Sequence, residues 1–133
     1  MELLKRINIK LAANTMIILN LCIVILHISI IVGIIPYAVI WDGHLENESQ
    51  MYFYEIASLS INLLVITAIG IRVGYIKPYL SKKIVDIVLW ALVILFSLNS
   101  VGNIVSINSL ESTIFTAMTI IVAIFCFRLI IER

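Results

Sequence analysis

The lysines and arginines of this chain all lie on one side of the membrane that its own apolar segments define. Four apolar segments, at residues 12–36, 51–76, 84–106 and 113–131, each approach the ~20 residues that cross a ~30 Å hydrocarbon layer. The nine basic residues lie before the first segment, around the second connection and at the end of the fourth segment. The first and third connections carry acidic residues instead. Because a Lys/Arg bias in short loops sets orientation, the sequence predicts that both termini are cytoplasmic.

Composition restricts the fold class further. Hydrophobic residues make up 62% of the chain and charged residues 13%, which is unlike a soluble domain. The longest connection, at residues 41–50, is too short for a separate folded module that could carry catalysis or bind nucleic acid. The sequence therefore predicts one all-α domain over residues 1–133, a polytopic bundle of four transmembrane helices with up-down topology. The high isoleucine content favours a bacterial source, and hence the cytoplasmic (inner) membrane.

The second and fourth segments share a spacing of charged residues. Glu55 is followed by sixteen uncharged residues and then Arg72, and Glu111 is followed by sixteen and then Arg128. Seventeen steps of helix span about 26 Å, so each Glu is expected in the first turn at the outer edge and each Arg in the last turn. We interpret the four residues as charged anchors that suit the helix dipole, with Asp86 pairing with Arg72 or Arg128. The repeated spacing also raises the hypothesis of two tandem hairpin repeats.

One polar side chain from each segment comes to a similar depth in the predicted membrane. These residues are His27, Asn62, Asn99 and Thr119, and Asn103 shares a helix face with Asn99. Polar groups at that depth should point into the bundle, because lipid cannot satisfy their hydrogen bonds. Two interpretations stay open: interhelical hydrogen bonds alone, or a ligand or proton site around an imidazole that can change charge near neutral pH. Neither interpretation requires a cofactor or a metal.

Glycines and prolines predict where the helices bend, end and meet. Pro36 removes a backbone hydrogen bond, so we expect a kink near Val32–Gly33 in the first span. Lys77-Pro78 is a natural end for the second helix. Gly70 and Gly74 have the GxxxG spacing that permits close approach of another helix.

Several short motifs from Trp41 onward resemble those of a known group of proteins. They are Trp41-x-Gly43; Gln50-Met51-Tyr52 with Glu55, Ser58 and Asn62; and Asn99-x-x-Gly102-Asn103 with Glu111 and Thr119. Together they resemble a family of small four-helix bacterial integral membrane proteins of uncharacterised function. Where that pattern would have a second glycine after Trp41, this chain has Asp42. The resemblance implies a four-span architecture and supplies no activity.

Three classes of function remain open from the sequence. The leading one is a non-enzymatic accessory or interaction protein of the cytoplasmic membrane. The alternative is a small channel or proton-linked carrier that uses the polar layer around His27. A membrane enzyme acting on a lipid or quinone is the third, although no nucleophile–base–acid arrangement is present. The expected partners are anionic lipid at the cytoplasmic face and either a second copy or another membrane protein.

Overall fold

The structure, a computed structural model, describes residues 2–38, 45–105 and 109–132, except for the side chains of residues 103, 109–112, 114 and 115. In these ranges the chain is all-helical and contains no strand, which confirms the predicted all-α class. The five helices found there are α1 (Glu2–Lys5), α2 (Ile9–Ile31), α3 (Glu48–Arg72), α4 (Lys82–Val105) and α5 (Ser109–Ile131).

Three of these helices are long and apolar enough to cross a membrane. The apolar spans are Ile9–Ile31, Glu48–Arg72 and Lys82–Gly102, of 23, 25 and 21 residues. At ~1.5 Å per residue, each covers the ~30 Å hydrocarbon layer. Much of their surface consists of exposed isoleucine, leucine, valine and aromatic side chains, as expected where the solvent is lipid. The chain is therefore a membrane protein, whereas a span by α5, whose apolar part includes Thr116–Ile131, stays a prediction.

Side-chain caps determine where three of the helices begin. The side-chain oxygens of Asn8, Asn47 and Ser81 each accept a backbone hydrogen bond from the first turn of α2, α3 or α4, at 2.9, 2.9 and 3.3 Å. The donors are the N–H groups of Lys10, Gln50 and Ile84. A cap of this kind is worth typically ~1 kcal/mol, because it satisfies an otherwise unpaired N–H group. The cap at Asn47 makes α3 begin earlier than the apolar segment from which it was predicted.

Helices α2 and α3 end with the same glycine motif. Gly33 and Gly74 have φ angles of 78° and 79°, in the left-handed region that favours glycine. In both motifs the glycine N–H bonds to the carbonyl three residues back, and the next N–H bonds to the carbonyl five residues back. This is the Schellman arrangement, which satisfies the last carbonyls of a helix. The predicted kink near Val32–Gly33 is therefore wrong, because α2 ends there instead of bending.

The same motif overturns the prediction of a GxxxG contact surface on the second span. Gly74 lies beyond the end of α3, so it cannot share a helix face with Gly70. A Cβ atom on Gly70 would lie 2.7 Å from Cδ1 of Ile76, so Gly70 makes room for the chain that turns back over its own helix end. The predicted helix end at Lys77-Pro78 is also too late, since α3 ends at Arg72.

By its internal packing the chain divides into two compact units, Met1–Met16 with Thr67–Arg133 and Ile17–Ile66. In the first unit, α4 and α5 pack against each other, and buried apolar side chains line both helices. They include Val85, Leu89 and Leu92 of α4, and Val122, Cys126 and Leu129 of α5. In the second unit, Ile30 and Met51 are buried together with the polar residues Asn20 and Glu55. The second unit carries the candidate site.

Candidate functional site

The candidate site is a pair of titratable side chains inside the unit of residues 17–66. His27 lies four residues before the end of α2, and Glu55 lies seven residues after the start of α3. Glu55 is therefore about 10 Å along the helix from its first residue, instead of in the first turn. Its side chain is 0% exposed, although the sequence suggested an anchor at the water-facing edge. Glu55 lies beyond the first turn because the cap at Asn47 starts α3 well before it.

The two side chains are in direct contact. Nδ1 of His27 lies 2.5 Å from Oε2 of Glu55, and the His27 side chain is 12% exposed. A hydrogen bond at this distance requires a proton on one partner. Either the imidazole N–H donates to the carboxylate, or the protonated carboxyl group donates to Nδ1. Sequence reasoning had placed His27 in a layer of amides and had missed Glu55 as its direct partner.

The net charge of the pair depends on how many protons it holds. With one proton shared between the neutral imidazole and the carboxylate, the pair has no net charge. Loss of that proton leaves one negative charge, and a second proton leaves one positive charge. Either charge is costly in a low-dielectric interior unless an opposite charge comes close. An acidic and a basic side chain, both largely removed from water, therefore share one hydrogen bond at this site.

Asn62, which was predicted to lie in the same polar layer as His27, bonds within its own helix. Its Nδ2 atom donates to the backbone oxygen of Ser58 at 2.8 Å, and the residue is half-buried. The bond satisfies part of the amide without a partner from another helix. Asn62 is in the same unit as His27 and Glu55, and its role in a common site stays a prediction.

In the other unit, the polar contact between α4 and α5 is made by a residue that sequence reasoning did not select. Oγ of Ser100 lies 2.8 Å from Oγ1 of Thr119, and Ser100 is buried. Asn99, which was expected to face inward, is exposed on α4. The buried positions Val85, Leu89 and Leu92 repeat at intervals of four and three residues, and this spacing, if continued, reaches Asn99. The periodicity of α4 therefore gave no signal for Ser100.

Two of the predicted site residues fall where side chains are not described. These are Asn103 in α4 and Glu111 in α5, and their predicted roles in the polar layer and as an anchor stay predictions. Trp41, Asp42 and Gly43, which carry part of the family resemblance, lie outside the described residues altogether.

The predicted arginine anchors are held by several polar contacts at the ends of their helices. Arg72 forms the predicted salt bridge with Asp86, and it also donates to the backbone oxygen of Glu132 at 3.1 Å. Arg128 donates to the backbone oxygen of Ile7 at 2.9 Å and to the Glu132 carboxylate at 2.7 Å. Both arginine side chains are only 6% exposed. All the residues in these contacts belong to the same unit, so the two arginines are structural residues of that unit.

A cavity of about 200 Å³ opens near the His27–Glu55 pair in the unit of residues 17–66. Ile30 on α2 and Met51 on α3 line it, and each lies one helical turn from its member of the pair. Among the described residues, no group of three His, Cys, Asp or Glu side chains is placed to hold a metal ion. The chemistry that this site offers is proton binding beside a small cavity.

No protein-family model, curated protein or solved structure matches this chain. The resemblance to small four-helix bacterial membrane proteins therefore remains a hypothesis drawn from the short motifs.

Proposed function

We propose that this chain is a small proton-linked cation carrier or channel of the bacterial inner membrane, with the His27–Glu55 pair as its proton-binding site. The observation that supports the proposal most is the contact of a fully buried carboxyl group with a nearly buried imidazole. Ionisable groups inside membrane segments are costly, and they mark ion and proton pathways more often than they serve packing.

The membrane arrangement is part of the proposal. Helices α2, α3, α4 and α5 form an up-down bundle with both termini in the cytoplasm, and the pair lies in the outer half. The one-sided distribution of lysine and arginine supports this orientation. The apolar segment Thr116–Ile131 supplies the fourth span, with Arg128 in its last turn near the cytoplasmic face.

The charge balance of the pair suggests how transport would be coupled. In the resting state one proton occupies the pair and its net charge is zero. A monovalent cation that approaches Glu55 can replace this proton, so that one positive charge leaves as another arrives. Neither the empty state nor the doubly occupied state is favoured, because both leave a net charge in the interior. The expected activity is therefore exchange of one proton for one monovalent cation.

Reconstitution in liposomes tests this function. A pH-sensitive dye inside the vesicles should report cation-dependent proton movement, with a rate that changes over pH of about 5 to 8. Glu55→Gln should abolish the movement, and His27→Gln should flatten its pH dependence. Ser60→Ala is the matched control, because Ser60 lies on the same helix and bonds only the carbonyl of Ile56. Absence of proton movement across this whole pH range would refute the carrier and channel proposal.

A second candidate function, an accessory or interaction protein, rests on Asn99. Its amide is exposed on α4 between the exposed apolar residues Leu98 and Val101, and lipid cannot satisfy it. A helix of a second copy or of another membrane protein would supply the missing hydrogen bonds, at ~0.6 kcal/mol each on average. Molecular mass measured in nanodiscs tests self-association. A wild-type monomer that copurifies no membrane protein would refute this candidate, and Asn99→Leu should weaken any complex that forms.

A further inference from the structure

The cavity in the unit of residues 17–66 is formed where two helix ends come together. The glycine motif at Gly33 ends α2, and the chain then bends at Ile34 and Ile35 before Pro36. Helix α3 begins at Glu48, and its first turns complete the wall with Met51 and Tyr52. The cavity has a volume of about 200 Å³.

The side chains that line the cavity combine one carboxylate with aromatic and apolar groups. Glu48 is exposed at the start of α3, whereas Met51 and Ile30 are 5% and 2% exposed. Tyr37 and Tyr52 also line the cavity, and Tyr52 is 43% exposed. Aromatic faces attract cations that are weakly hydrated, and a carboxylate adds a full negative charge. Metal ions, in contrast, need several oxygen or nitrogen ligands, which this wall does not provide.

From this lining we infer that the cavity binds a small alkylammonium cation. Its charged nitrogen would lie near the Glu48 carboxylate and the Tyr52 ring, and its methyl groups would contact Ile30 and Met51. Pockets for drug-sized molecules measure ~300–1,000 Å³, so a cavity of this size restricts the ligand to a few non-hydrogen atoms.

The position of the cavity connects this inference with the proposed function, on which it rests. Ile30 lies three residues after His27 on α2, and Met51 lies four residues before Glu55 on α3. Residues at these intervals are neighbours on one helix face. A cation whose nitrogen lies between Glu48 and Tyr52 would therefore be one to two helical turns, about 5–10 Å, from Glu55, and its charge would favour release of the shared proton. Small alkylammonium ions are then the class of cation that the carrier would exchange for protons.

Binding can be measured without transport. The full-length protein in lipid nanodiscs should transfer saturation to the methyl protons of tetramethylammonium in a saturation-transfer NMR experiment. Neopentyl alcohol, which has a quaternary carbon but no charge, should bind at least about fivefold more weakly, since it lacks the cation–π and charge contributions. Glu48→Gln and Tyr52→Leu should each weaken tetramethylammonium binding about two- to fivefold.

Two variants control for the loss of an acidic residue and of a tyrosine outside the cavity. Glu46→Gln removes a neighbouring exposed acid that does not line the cavity, and Tyr79→Leu removes an exposed tyrosine of the other unit. Both should bind tetramethylammonium like the wild type. Circular dichroism should show unchanged helix content for all four variants, and if Tyr52→Leu fails to fold, Glu48→Gln and the neutral analogue still decide the result.

The outcomes separate this inference from the proposed function. Equal binding of neopentyl alcohol, or equal loss in Glu46→Gln and Glu48→Gln, would refute a cation site in the cavity. Selective tetramethylammonium binding without proton movement in liposomes would support the site and refute the carrier. Proton movement driven by other cations, with no tetramethylammonium binding, would refute the site and leave the carrier standing.

Discussion

His27 and Glu55 are separated by 28 positions in the sequence, yet their side chains meet at 2.5 Å inside one compact unit. This contact helps to make the burial of both side chains tolerable, because an isolated ionisable group in such an interior is costly. The pair is therefore both a structural contact and the place where a proton can be held.

The free energy of unfolding should respond differently to the loss of one member of the pair and to the loss of both. His27→Leu leaves the buried Glu55 without its imidazole partner, so we expect a loss of about 3–5 kcal/mol in the free energy of unfolding. The double variant His27→Leu/Glu55→Leu should recover most of that loss, because no buried charge remains. Reversible unfolding in mixed micelles measures both values, with Ser60→Ala as the control. A His27→Leu protein as stable as the wild type would contradict the direct contact.

In the other unit, loss of the acid that pairs with Arg72 should lower stability more than loss of a neighbouring exposed lysine. Asp86→Ala removes the salt-bridge partner of Arg72, whose side chain is only 6% exposed, and should cost about 1–3 kcal/mol. Lys83→Ala, at an exposed neighbouring position, should stay within about 0.5 kcal/mol of the wild type. Thermal unfolding followed by circular dichroism gives the comparison. Equal melting temperatures for the two variants would show that the salt bridge contributes nothing measurable.

Two glycine-to-alanine substitutions should have effects of opposite sign. Gly74→Ala places a Cβ atom on a residue with a φ angle of 79°, which should cost about 1–2 kcal/mol. Gly102→Ala introduces a methyl group into α4 that, apart from its chain neighbours and its own helix backbone, has no atom within 4 Å, and it should stabilise by about 0.5–1 kcal/mol. The two unfolding free energies, measured under the same detergent conditions, test the glycine motif. Stabilisation by Gly74→Ala would refute it.

The proposed orientation predicts which positions react with a membrane-impermeant thiol reagent. In a background with Cys22 and Cys126 replaced by alanine, a cysteine at Ser49 should be labelled from outside intact cells. A cysteine at Lys83 should be labelled only after the membrane is opened. Position 83 is used for this label instead of the nearby Ser81, because a cysteine at Ser81 would remove the hydroxyl that caps α4. Labelling of position 83, but not 49, in intact cells would reverse the orientation.

The apolar segments and the residues at their boundaries determined most of the helical structure directly from the sequence. Hydrophobic length identified the three long spans, because transfer of apolar side chains into lipid depends mainly on composition. Counting residues along the helices also placed Asp86 at the depth of both Arg72 and Arg128, and the structure pairs it with Arg72. The ends of α2 and α3 were predicted too late, although their signal is local, because Gly33 and Gly74 end these helices before the chain reaches Pro36 and Pro78.

Only the tertiary structure decided which polar side chains meet. Depth in the membrane gave His27 several neighbours of similar height, but the rotation of each helix about its axis selected Glu55. On α4 a step of one residue turns the side chain by about 100°, and that step separates the exposed Asn99 from the buried Ser100 that contacts Thr119. Helix rotation depends on how whole surfaces pack, and four nearly uniform apolar segments carry little periodicity that would determine it.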